Sequence, residues 1–425
     1  MTTMASSAAM LPVLTLRLVG RYWAPLLCVY AAGTFLHAMM VRGLVIIAED
    51  SVMAGLVGLS IAVLVTLTTT IVMFHLMTSG MPALNSELVN PGSKTTRTTL
   101  GEREHRVVDA VAMAILPFLI FYSAWGLFAE EFREFSLGVV NSEGLTGADK
   151  FMFEELGWPL AIAFGAWSLR AVCERVYDRT DNKWLGILTA VFEATWMFFA
   201  VFSVGEVTGN AKDWVATRVV WFEVQQAITD SMQWLENLSS LPFPETYAAA
   251  LVLIAQGWEH LKEALLGPLL WLTIVSVVYG AEVDKSEPLF RKGSRADEHA
   301  QRVSSVTPKV VKGIGQFAGR DAREKYVPFL NALRFVLRVS PVFVLTFCLL
   351  YTLLDLGFGW LERGVYVLVG PDEFLGWWWP WLFPIEFAVD AVHEVLRVCL
   401  LAATFELTLR RVSTRSVGRR ARRTA

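Results

Sequence analysis

A helix that crosses the hydrocarbon core of a bilayer needs about 20 consecutive, mostly apolar residues, and this chain carries eight such stretches. They fall at roughly 22–41, 52–78, 108–128, 157–173, 184–205, 262–281, 340–360 and 386–409. So much apolar length has to be solvated by lipid. Composition agrees, since 54% of the 425 residues are apolar and only 18% charged, against about 25% charged in ordinary soluble domains. The expected fold class is therefore all-α, a polytopic helical membrane protein of about eight transmembrane helices. The formal net charge of -3 is too near zero to imply nucleic acid or any other charged partner, and none is expected. Cys28, Cys173, Cys348 and Cys399 lie in or beside apolar stretches, where inert thiols are expected rather than a zinc site or a disulfide framework.

The sixth stretch is irregular. Residues 246–279 are apolar for 34 positions but are interrupted by Gln256, Gly257, Glu259, His260, Lys262, Glu263 and Pro268. A straight helix of that length would measure about 51 Å, so a break or kink is expected near Gly257 or Pro268.

Orientation follows from where the basic residues sit. With a cytoplasmic N-terminus, the inner segments hold 29 Lys and Arg and the outer loops hold 6, with Lys262 and Arg397 inside spans. Both termini are thus expected in the cytoplasm of a plasma (inner) membrane. Arg17 and Arg21 precede a full-length span, so the first helix reads as an anchor rather than a cleaved signal.

A repeat is also written into the chain. Gly80, Ser86, Glu87, Gly92, Ser93 and Lys94 align with Gly280, Ser286, Glu287, Gly293, Ser294 and Arg295, and Glu104 and His105 with Glu298 and His299. Before the fourth span the order Gly147, Asp149, Phe151, Gly157, Trp158 recurs before the eighth as Gly370, Asp372, Phe374, Gly376, Trp377. Two readings stand: boundary residues that recur in any such protein, or two four-helix halves at 1–183 and 184–411, related as parallel repeats about the membrane normal. The second half would hold an outer amphipathic insertion (208–245) and a cytoplasmic insertion (about 303–335), and a basic tail (412–425) would follow it. In the outer insertion Trp214, Trp221, Val224, Ile228, Met232 and Leu235 share one helical arc, which suits either the outer leaflet surface or packing on the bundle. Protein partners are expected at both insertions, and anionic lipid at the arginines of the tail.

Ionisable residues within spans mark functional sites or paired structural networks, and here they concentrate in the second half. On the eighth span Glu386, Asp390, His393 and Arg397 lie 4, 3 and 4 residues apart, which keeps all four within about 60° of one another on a helix. A carboxylate and an imidazole in series can pass a proton. The same stripe can equally be a closed network in which Arg397 neutralises Asp390 or Glu394. Glu193, near the middle of the fifth span, and Asp355, near the outer end of the seventh, complete the set of candidates for transport or proton relay. The repeat-matched Ser86, Glu87, His105, Ser286, Glu287 and His299 face the cytoplasm as a gate, a docking element or simple helix caps. Trp377, Trp378, Trp379 and Trp381 suit an outer aromatic belt.

Signals for soluble-type catalysis fail. His393-Glu394 lacks the second histidine of a zincin helix, and the chain has no Gly-x-Ser-x-Gly elbow or phosphate-binding loop. No metal or cofactor is called for. The reading that follows is a transporter- or channel-like protein, with two rivals: a non-transporting subunit or scaffold of a membrane complex, and an intramembrane enzyme acting on a lipid.

Overall fold

The computed structural model describes residues 2–82, 119, 127–144, 146–147, 151, 157–180, 183–239, 243–279 and 341–424. Every regular element among them is helical. In chain order these are α1 (Thr2–Asp50), α2 (Val52–Met77), α3 (Leu127–Glu143), α4 (Gly157–Thr180), α5 (Lys183–Ala216), α6 (Val219–Ser239), α7 (Phe243–Leu261), α8 (Gly267–Val278), α9 (Pro341–Val369) and α10 (Trp379–Thr424). Five helical segments are long and apolar enough to cross a membrane: Met10–Asp50, Val52–Gly80, Trp184–Val201, Val252–Val278 and Pro341–Val369. They coincide with the first, second, fifth, sixth and seventh stretches read from the sequence. Most of the third stretch lies outside the described residues. The fourth and eighth form α4 and α10. Across its expected span α10 carries Glu386, Asp390, Glu394, Arg397 and Glu406, a density of charge that sets it apart from the five.

Several boundaries are explained locally. α1 runs for 49 residues, far past the expected 22–41, because the residues on either side of that stretch also favour a helix. Ser51 then separates it from α2, its Oγ accepting from Ala54 N at 3.4 Å as an N-cap. α9 stops at Gly370, whose φ of +81° is the left-handed conformation that only glycine adopts without cost; its N–H still donates to Tyr366 O at 3.1 Å. No break falls at Gly257, through which α7 is continuous; the irregularity before Pro268 is a change of helical register, a π-turn over Lys262–Leu266. Proline has no N–H to donate and its ring crowds the carbonyl four residues back. The wider π register just before Pro268 absorbs that mismatch.

The chain divides into two compact units, each drawing on both halves of the sequence: Met1–Met39, Val65–Tyr122 and Gly267–Ala425 form one, Met40–Leu64 and Ser123–Leu266 the other. In the first, α10 packs on α9 and α8. Its centre is aromatic: Phe405 lies 5.1 Å from the Tyr279 ring, which meets Phe74 edge-on at 6.0 Å, and Tyr279 Oη donates to Phe74 O at 3.0 Å. Thr273, Thr404 and Thr408 are buried, and each returns its hydroxyl to the carbonyl four residues earlier. α1 approaches the short turn after α2 closely at Gly80, where a Cβ would stand 2.7 Å from the Tyr22 ring.

In the second unit α4 and α5 form a helical hairpin across residues 181–182. Phe128 of α3 meets Phe198 of α5 edge-on at 5.5 Å. Ser60 and Thr195 share a buried hydrogen bond of 2.8 Å between α2 and α5. α6 packs on α7, yet Val219, Val220, Trp221, Phe222 and Trp234 of α6 remain exposed. Of the thiols, Cys348 and Cys399 are buried, Cys173 is half-buried and Cys28 is exposed.

Candidate functional site

The polar stripe read on the eighth span meets a second one on α9. Tyr351, Asp355, Glu362 and Tyr366 are spaced 4, 7 and 4 apart, so they too fall within about 60° of helical arc. α9 and α10 pack together with these rows facing, and side chains pair between them at two levels. At the level nearer the Phe374–Trp378 turn, Tyr366 Oη donates to Glu362 Oε1 at 2.8 Å and lies 3.5 Å from Glu386 Oε1 across the gap. Eleven residues back along α9, Asp355 Oδ1 accepts from His393 Nε2 at 2.8 Å; that contact fixes the donor nitrogen as Nε2, with the Phe358 ring 5.1 Å from the imidazole. Asp390 stands between the two levels. Among the described residues it has no hydrogen bond or ion pair, and it is exposed, though it lies in the field of Glu362, His393, Glu394 and Arg397.

The far end of the ladder is closed. Arg397 Nη2 meets Glu394 Oε2 at 2.6 Å within α10, and its guanidinium covers the Trp271 ring of α8 at 4.5 Å, a cation–π contact. Beyond it residues 398–409 are buried without interruption. α1 adds Tyr30, whose ring stacks on Phe387 at 5.8 Å and whose hydroxyl senses Asp390, Glu394 and Arg397. Along the stripe Glu386, His393 and Arg397 are partly covered, while Asp390 is open.

Glu193 belongs to the other unit and has company. Arg170 Nε of α4 lies 3.8 Å from Glu193 Oε2 of α5, both side chains being 4% exposed, and Arg170 Nη2 bonds Glu174 Oε2 at 3.1 Å. At 3.8 Å the first contact is an ion pair rather than a hydrogen bond. Ser86, Glu87, His105, Ser286, Glu287 and His299 lie outside the described residues. Three members of the ladder, Tyr351, Glu362 and Tyr366, were not singled out from sequence. The signal was available in the same helical period, but a seventh span ending near 360 leaves Glu362 and Tyr366 in a loop.

No known family model, curated protein or solved structure matches this chain.

Proposed function

We propose that the chain is a polytopic membrane protein of transporter or channel type, in which the α9–α10 ladder carries protons or small cations part of the way across the bilayer. The observation that supports this most is the pairing of two polar rows across neighbouring helices, with His393 and Asp355 in direct contact at 2.8 Å. Ionisable side chains within a span are costly and are kept where they line a pathway or pair. A series of carboxylates, a phenol and an imidazole offers protonatable groups at successive depths. In this reading there are eight spans with both termini cytoplasmic, the halves 1–183 and 184–411 are parallel repeats, and the basic tail holds anionic lipid.

The rival is a non-transporting scaffold, and one contact favours it: the pairing of Arg397 with Glu394 neutralises both charges inside a single helix. Accessibility separates the two. Single cysteines at Glu362, Glu386 and Asp390, made in a chain with its native cysteines replaced, should react in intact membranes with a charged, membrane-impermeant thiol reagent. Cysteines at Val398 and Leu401, which are buried, should not. Unreactive positions 386 and 390 would overturn the pathway.

A further inference from the structure

Asp355 is the fifteenth of the 29 residues of α9, so it stands at the middle of a helix long and apolar enough to cross a membrane, deeper than the outer-end position that a span ending near 360 gives it. Its side chain is nonetheless 45% exposed. His393 occupies Oδ1, and among the described residues nothing donates to Oδ2. Asp390, exposed one turn from His393 along α10, has no hydrogen bond or ion pair among those residues either. Beside this polar groove α9 presents an exposed apolar row, Leu345, Leu349, Leu353, Leu356 and Trp360. The spacing of 4, 4, 3 and 4 makes that row a single stripe along the helix. Half-open carboxylates at mid-depth next to an exposed leucine stripe would be strongly disfavoured against acyl chains.

The charge balance of the groove indicates what would cover it. Among the described residues Asp355, Glu362, Glu386 and Asp390 outnumber the basic groups whose fields reach them, His393 and an Arg397 that Glu394 and Trp271 already engage. Tyr30, Tyr351 and Tyr366 bring hydroxyls but no positive charge. We propose that the α9–α10 face docks a transmembrane helix of another polypeptide that carries one Lys or Arg at mid-depth. The leucine stripe supplies the packing that drives helix association in lipid, and the carboxylates fix the depth and select a cationic partner. A second copy of this face is a poor occupant, since two-fold symmetry would set the same acids against each other. The proposal goes beyond the pathway: such a helix closes the lipid side of the groove whether or not the groove conducts.

The test uses the full-length protein, donor-labelled and reconstituted in phosphatidylcholine vesicles. It is titrated with acceptor-labelled poly-leucine transmembrane peptides of about 20 residues that bear a central Lys, Leu or Glu. Energy transfer should show the Lys peptide associating about tenfold more tightly than the Leu peptide, with the Glu peptide no better than Leu. The preference should disappear in Asp355→Asn and in Asp390→Asn; the latter breaks no hydrogen bond of the described residues and keeps the test valid if the former loosens the fold. Equal binding of all three peptides overturns the proposal, as does a Lys preference that survives both substitutions. Equal binding together with aqueous labelling at 386 and 390 removes the docking surface and leaves the pathway. A Lys preference without that labelling removes the pathway and leaves the docking surface.

Discussion

At Arg170 and Glu193 the balance between desolvation and pairing is most exposed to test, because both side chains are almost wholly enclosed. Removing one member of such a pair strands a buried charge, at a cost of about 3–5 kcal/mol. Arg170→Met should therefore lower the unfolding midpoint in detergent sharply. Arg170→Met combined with Glu193→Gln should recover most of the loss, because the enclosed charge is then gone, and Glu174, which also loses Arg170, is 32% exposed and partly solvated. Asp390 behaves oppositely. It bonds to nothing among the described residues, so Asp390→Asn, which keeps volume and hydrogen-bonding capacity but cannot ionise, should leave the melting temperature within about 1 °C, the consequence of a surface change of a few tenths of a kcal/mol at most. If the ladder carries protons, the same change abolishes flux into vesicles loaded with a pH-sensitive dye. Flux equal to that of the unaltered protein would remove Asp390 from the pathway.

At the scale of the element, the turn between α9 and α10 holds the two rows of the ladder in register. Gly370→Ala would force a Cβ into a left-handed backbone, costing roughly 1–2 kcal/mol, and should lower the melting temperature while weakening the Tyr366 contact to Glu386. A melt unchanged from that of the parent would show that the turn relaxes freely. How far these elements could be read from sequence depends on what each feature requires. The stripe Glu386, Asp390, His393 and Arg397 is visible because helical period alone puts four residues on one arc. Of its partner row on α9, Asp355 is visible in the same way, whereas Glu362 and Tyr366 escape because hydropathy falls after Gly359 while the helix itself runs on to Val369. Apolarity sets where lipid contact ends, and backbone hydrogen bonding sets where the helix ends; the two need not coincide. The same distinction explains α1, which continues past its apolar centre at both ends. The π-turn is legible through Pro268, since a missing N–H acts locally. The pairing of Arg170 with Glu193 is not, because it depends on how α4 folds back on α5.

For the whole molecule, the basic bias of 29 to 6 predicts a topology that labelling can check. In a chain with its native cysteines replaced, cysteines at Ser136 and Thr217 should react from outside, and those at Ser93 and Ser304 only after permeabilisation; reversed reactivity would invert the assignment. Superposing the first four spans on the last four in an experimental structure tests the repeat, with Gly80 falling on Gly280 and Trp158 on Trp377 after a half-turn about the membrane normal. α1 carries a further consequence. Its exposed apolar side chains run from Val13 through Trp23, Phe35 and Met39 to Ile47, a length of about 51 Å set against a hydrocarbon core of about 30 Å. Upright, such a helix would leave some 20 Å of greasy surface in water. Lying flat enough to hide it all needs an inclination beyond the 40° or so that spanning helices adopt. A chain spanning with this helix is thus expected to be elastically coupled to bilayer thickness. Lengthening the acyl chains of the host lipid should raise its thermal stability, and thinning the membrane should strain it.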